Sequence, residues 1–91
     1  MRRIVYSKNA IKFMLTLKEP QTTVIIKDLT SYLTDPNSVD VKKMPGSVKR
    51  RMVLKSQDYY ALFQLKKFKG ADVLYVIEVI EKDDLHYYMD V

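Results

Sequence analysis

Residues 49–55 and 59–66 alternate in step, and this shared period constrains the chain more than any other feature. Successive side chains of a strand point to opposite faces of a sheet. Over 49–55, Lys49, Arg51, Val53 and Lys55 therefore take one face, and Arg50, Met52 and Leu54 the other. A two-residue turn at Gln57-Asp58 pairs Ser56 with Tyr59. Lys55 then faces Tyr60, Val53 faces Leu62 and Arg51 faces Gln64, while Leu54 meets Ala61 and Met52 meets Phe63. One face of the predicted hairpin is polar and cationic, and the pairs of Met52 and Leu54 with Phe63 and Ala61 make the other apolar. Cations in a row over an apolar floor suit a small sheet that holds a polyanion.

The flanking segments supply the cover that the apolar face needs. Residues 2–6 read as a first strand, and Ser7 is placed to cap a helix. Ala10, Phe13, Met14 and Leu17 then repeat at helical spacing along one face. Pro20 ends that helix and suits the first turn of another. Over 21–34 the β-branched run Thr22 to Ile26 favours a strand locally. Ile25, Leu29, Tyr32 and Leu33 nevertheless keep helical spacing up to Asp35-Pro36, so a second helix is predicted. Phe13, Met14, Leu17 and Leu29 are assigned to the core. A loop with Pro36, Pro45 and Gly46 leads into three strands near 49–55, 59–66 and 72–81. In the last, Val73, Tyr75, Ile77 and Val79 are expected on the apolar side, with Leu74, Val76, Glu78 and Ile80 opposite. Apolar residues on both faces make it a central strand. Glu78 then shares a face with Arg51, Gln64 and Lys82, where an ion pair would offset its burial. The expected architecture is α+β, order βααβββ, an antiparallel sheet with two N-terminal helices on one face.

Composition narrows the functions open to such a fold. Ninety-one residues, 47% of them hydrophobic, suit one domain over 1–91 with a single core. The absence of cysteine excludes disulfides, thiol nucleophiles and cysteine metal sites, and one histidine excludes a histidine-rich metal centre. No metal or other cofactor is expected. No apolar run reaches the ~18 residues of a membrane span, and 2–5 lacks a signal peptide's apolar stretch, so a cytoplasmic location is expected with no membrane partner. Charge is segregated: 42–69 holds nine lysines and arginines against one acid, and 72–90 holds six acids against one base. A central basic segment suits nucleic acid or an acidic protein, although an uneven solvated surface would look the same.

Several short pieces, in order, resemble the RelE/ParE superfamily of toxins from bacterial and archaeal toxin–antitoxin pairs, and most of all its RelE-like mRNA endonucleases. They are Tyr6-Ser7 before a helix with Ala10, the helix end Leu33-Thr34-Asp35-Pro36, and Lys43-Met44-Pro45-Gly46 at the family's leucine–any–glycine turn. After them come the basic strand 49–55, Asp58-Tyr59-Tyr60-Ala61-Leu62-Phe63 at the family's Gly-Asp-Tyr-Arg strand start, and Tyr87-Tyr88 near the C-terminus. The resemblance spans nearly the whole chain. It implies a toxin that enters the ribosomal A site and cuts mRNA, with the neighbouring 2′-hydroxyl attacking the phosphate. It also implies a small antitoxin that wraps the toxin in a hetero-oligomer.

Carried over position by position, the resemblance places catalytic roles on Arg51, Lys82 and Tyr88, with His86-Tyr87 matching the His-Tyr ending of some relatives. The family's second basic strand position falls on Val53, and its arginine after the strand tyrosine falls on Tyr60. Internal attack on RNA requires a base, cations for the phosphorane charge and an acid for the leaving oxygen. Arg51 can bridge two phosphate oxygens, while Lys49, Lys55 and Lys82 act as point charges. Tyr88 needs neighbouring cations to serve as a base, whereas histidine side chains in general exchange protons near neutrality, which makes His86 chemically the better candidate. Tyr60 and Tyr87 could contact bases, as aromatics do with single-stranded RNA. Each residue also has a plainer reading: Lys49, Lys55 and His86 as solvated surface, Tyr60 as packing for Lys55, and Tyr87 or Tyr88 as core. Two alternatives share the fold: a toxin that poisons DNA gyrase, and a catalytically weakened module that binds antitoxin or RNA.

Overall fold

The computed structural model describes residues 3–43 and 51–87, the last two through their backbone. Strand β1 (Arg3–Tyr6) leads into helices α1 (Lys8–Leu15) and α2 (Gln21–Thr34). Four strands follow: β2 (Asp40–Lys43), β3 (Met52–Ser56), β4 (Tyr59–Phe68) and β5 (Ala71–Glu81). A 3-10 segment, Lys82–Tyr87, runs on from β5. The sheet order is β1-β5-β4-β3-β2, with β1 parallel to β5 and every other pair antiparallel. Two helices over one face of a sheet is the α+β arrangement expected. It gains a strand, β2, where a loop was expected, and the parallel edge β1 makes the sheet mixed. The alternation of Val39 and Val41, both packed on the core, carries β2.

Local chemistry explains the helices. The Ser7 hydroxyl accepts from the Ala10 amide at 3.0 Å and donates to the Ile77 carbonyl at 2.5 Å, so one side chain caps α1 and ties it to β5. Ala10 and Met14 of α1, with Ile25, Leu29 and Tyr32 of α2, are buried against the sheet. Burial of that stripe overrides the strand preference of Thr22 to Ile26. Asp35 stops α2 in an extended conformation and caps the short turn Pro36–Ser38 through Asn37. Ser7→Ala removes both hydroxyl bonds and is expected to lower stability by about 1–2 kcal/mol in urea unfolding.

The hairpin register is the predicted one at Met52↔Phe63, Val53↔Leu62, Leu54↔Ala61, Lys55↔Tyr60 and Ser56↔Tyr59, but β3 begins at Met52, so the expected pairing of Arg51 with Gln64 is not part of the ladder. Its turn lacks glycine, and Gln57 adopts φ 56° in its place. At the other end of β4, Lys69 (φ 51°) and Gly70 (φ 81°) are both left-handed, the pattern of a type I′ turn.

Strand β5 departs from the expected faces. Leu62 pairs with Glu78 but Phe63 pairs with Val76, so a bulge at Ile77 interrupts the alternation. Leu74 and Val76 therefore join Val79 in the helix-side core, while Val73 and Tyr75 turn to the far face. A shift of one residue exchanges the faces of everything beyond it. The helix-side core gathers Leu54, Tyr59, Ala61, Phe63, Leu74, Val76 and Val79 beneath both helices. On the far face, Val53, Leu62 and Ile80 form a second, smaller cluster with Tyr60 and Leu85.

Candidate nucleic-acid interface

Two transverse rows build the far face around β3. Asp40, Lys55, Tyr60 and Ile80 stand in register across β2-β3-β4-β5, and beside them Lys42, Val53, Leu62 and Glu78. Between β2 and the 3-10 segment these rows enclose a cleft of about 350 Å³, lined by Asp40, Lys42, Lys43, Val53, Lys55, Tyr60 and Leu85. Three lysines against one aspartate give it net positive charge. Its floor is apolar because Val53, Leu62 and Ile80 are buried there beneath Leu85. A larger, shallower groove of about 440 Å³ along α2 has Lys27 balanced by Asp35, and so no cationic excess.

The sequence-derived site residues separate into groups. Lys55 and Tyr60 are brought together as a cross-strand pair in the cleft. Arg51 immediately precedes β3 and is half-buried. Lys82 stands elsewhere, 3.6 Å from the Asp58 carboxylate, in a cavity lined by Asp58, Tyr59, Glu81, Lys82 and Asp83. Its amide also bonds the Asp58 carbonyl at 2.9 Å, which clamps the start of the 3-10 segment to the β3–β4 turn. Among acids and held by Asp58, it is set apart from the cationic cleft. His86 and Tyr87 follow Leu85 in the 3-10 segment that reaches the cleft. Lys49 and Tyr88 lie outside the described residues.

Sequence reasoning missed Asp40, Lys42 and Lys43, because the segment was read as a loop. The available signal was the alternation Val39-Asp40-Val41-Lys42. Glu78 keeps its expected face, but its carboxylate accepts from Asn9 at 3.1 Å, so an amide is the partner rather than a cation. Burial pushes the Tyr6 phenol above its ordinary value, and Tyr6 packs against the helix-side core.

Chemically, the cleft offers point charges for phosphate oxygens and an aromatic face for a base, over a floor that excludes water from one side. Lysines at a phosphate act as mobile charges, while Tyr60 can stack on any base. Asp40 is the carboxylate within the cleft and stands opposite Lys55 in the register. Among the described residues, no group of three or more histidine, cysteine, aspartate or glutamate side chains is placed to hold a metal ion. No helix of the described residues is long and apolar enough to cross a membrane.

Neither a protein-family model nor a curated protein sequence matches this chain. Solved structures do match its fold. A chain of the archaeal RelE–RelB complex from Pyrococcus horikoshii OT3 superposes with a TM-score of 0.71 and 14% identity, over 89% of this chain and 94% of that one. A chain of the RelB–RelE antitoxin–toxin complex from Methanococcus jannaschii gives a TM-score of 0.64 and 11% identity, over 94% of this chain and 99% of that one. At such identities the likeness is one of fold: this chain has the α+β fold found in archaeal RelE–RelB complexes.

Proposed function

We propose that the chain is the toxin of a toxin–antitoxin pair: a RelE-like endoribonuclease domain over 1–91 that cleaves mRNA on the ribosome and halts translation in the cytoplasm. One observation carries the reading beyond the fold. The resemblance leaves a cation missing at Val53, and Lys42 stands directly opposite Val53 in the β2–β3 register, on the same face. A side chain one strand away thus supplies the charge that β3 lacks. In this reading Arg51, Lys42 and Lys55 bind the scissile phosphate, Tyr60 stacks on a base, and His86 or Tyr88 moves the proton. Lys49, Tyr87 and Lys82 stay in the proposal as RNA contacts or as holders of the C-terminal segment. The partner is a small antitoxin, acidic or amphipathic, in keeping with the complexes whose fold this chain shares.

Inducible expression of wild type beside Arg51→Ala and Tyr88→Phe tests the reading. Wild type is expected to arrest growth with message cut inside codons, and both substitutions to lessen toxicity. Intact message under continued arrest would sink the nuclease, and DNA breaks with supercoiling defects would point to gyrase. A second reading, RNA binding with weakened cleavage, is favoured by the burial of Val53 beneath Leu85, which bars a direct cation from that point. Salt-sensitive RNA binding without cleavage would select it.

A further inference from the structure

The far face carries a second cationic group at the opposite end of β4, unused by the cleft. Arg3, Val73 and Lys66 stand in register across β1-β5-β4. Lys66 Nζ lies 4.3 Å from the centre of the Tyr75 ring, which turns to this face because of the bulge. Two residues further on, Phe68 shares the face and is 54% exposed, opposite the small Ala71. Lys69 Nζ lies 5.6 Å from the Phe68 ring. On the other face, Lys67 is answered by Asp72 at 3.6 Å. Among the described residues no carboxylate lies within ion-pair distance of Arg3, Lys66 or Lys69.

The turn residues sharpen the point. Lys69 occupies the first left-handed position of a type I′ turn, where asparagine fits better than lysine. A cation kept where the backbone prefers another residue, beside an aromatic ring left in water, is a local conflict of the kind that marks a binding surface. Cations interleaved with exposed rings are the pattern of single-strand recognition, in which rings take bases and lysines take phosphates. From Tyr60 to Phe68 the strand runs about 27 Å at ~3.4 Å per residue, so a strand leaving the cleft along β4 would reach the tip after several nucleotides.

We infer that the tip of the β4–β5 hairpin is a second subsite for single-stranded RNA, with Phe68 stacking on a base and Arg3, Lys66 and Lys69 holding the adjoining phosphates. The inference rests on the RNA reading of the cleft and extends it to the length of strand bound.

Fluorescence anisotropy with 2′-O-methyl RNA, which cannot attack its own phosphate, tests it using a tetranucleotide and a dodecanucleotide. Phe68→Ala should weaken binding of the dodecanucleotide at least about fivefold and leave the tetranucleotide unchanged. Lys69→Asn should also weaken the dodecanucleotide and reduce its salt slope by about 0.7, with the melting temperature unchanged or raised. That combination separates lost contact from lost folding. Wild-type affinity of both variants for the dodecanucleotide, while Lys55→Ala binds both oligonucleotides less tightly, overturns the tip and spares the cleft. The same holds if Phe68→Ala instead loses a protein partner with RNA binding intact. An equal loss on duplex DNA of the same length overturns the stacking role. Wild type binding neither oligonucleotide overturns the RNA reading and the tip with it.

Discussion

Under the proposed nuclease reading, Lys42→Ala is expected to lower RNA cleavage by about ten- to a hundredfold while leaving the fold intact. A charge-assisted contact to a phosphate oxygen is worth about 1.5–3 kcal/mol, and each ~1.4 kcal/mol is tenfold. Lys42 is exposed on the edge strand, so truncating it should move stability by no more than about 0.5 kcal/mol. Register makes the prediction specific. Lys42 pairs with Val53 on the cleft face, whereas Lys43 pairs with Met52, a residue of the helix side. Lys43→Ala should therefore lose less. Because the contact is electrostatic and partly open to water, the deficit of Lys42→Ala should shrink as salt rises. Cleavage rates of mRNA on ribosomes across a moderate salt series, beside Lys55→Ala as reference, provide the measurement. Full activity in Lys42→Ala, with Lys55→Ala impaired, would mean that the cation missing at Val53 is not replaced from β2.

What the sequence made legible follows from which signals are local. The hairpin could be read because alternation on 52–56 and 59–63 fixes both faces, a one-residue slip would part Met52 and Leu54 from Ala61 and Phe63, and a two-residue turn at Gln57-Asp58 selects the register observed. Helix α2 could be read because Ile25, Leu29 and Tyr32 hold their spacing through a β-branched run. The bulge at Ile77 could not, since one extra residue leaves the composition of β5 untouched and its strict alternation plausible. That single offset moved Tyr75 to the far face, and with it the ring beneath Lys66. Strand β2 was hidden by its brevity and by lysines that a strand edge tolerates well. The place of Lys82 was equally invisible. Its ammonium group is held by Asp58, a turn residue that meets it only when the hairpin folds back beside the end of β5. For the candidate site, the pairing of Lys55 with Tyr60 was therefore legible from period two, while Lys42, Lys43 and the walls of the cleft depended on pairings between distant segments.

Phe63→Ala should destabilise the fold by about 3–5 kcal/mol, a large part of the ~5–15 kcal/mol that holds a domain together. Phe63 is fully buried, registered with Met52 on one side and Val76 on the other, and its ring meets Tyr32 of α2 edge-on at 5.1 Å. It thus joins three strands to a helix through one side chain. How much such a truncation costs depends on whether the surroundings can close the cavity. Here closure is resisted. Ser7 fixes β5 at the bulge, with its amide bonded to the Val76 carbonyl at 2.9 Å and its hydroxyl to that of Ile77, so β5 cannot slide towards the void. The cost should fall in the upper half of the range, and Ser7→Ala combined with Phe63→Ala should cost less than the sum of the two, because releasing β5 permits collapse. Urea unfolding of the two single variants, the double variant and Phe63→Leu provides the test, with leucine expected to recover more than half of the loss. A deficit below about 2 kcal/mol for Phe63→Ala, or strict additivity with Ser7→Ala, would show that the cap and the core are not mechanically joined at the bulge. Under the proposed toxin reading, toxicity lost in Phe63→Ala should then return on cooling, as it cannot in Lys42→Ala, since the first variant lacks a stable sheet and the second lacks a charge.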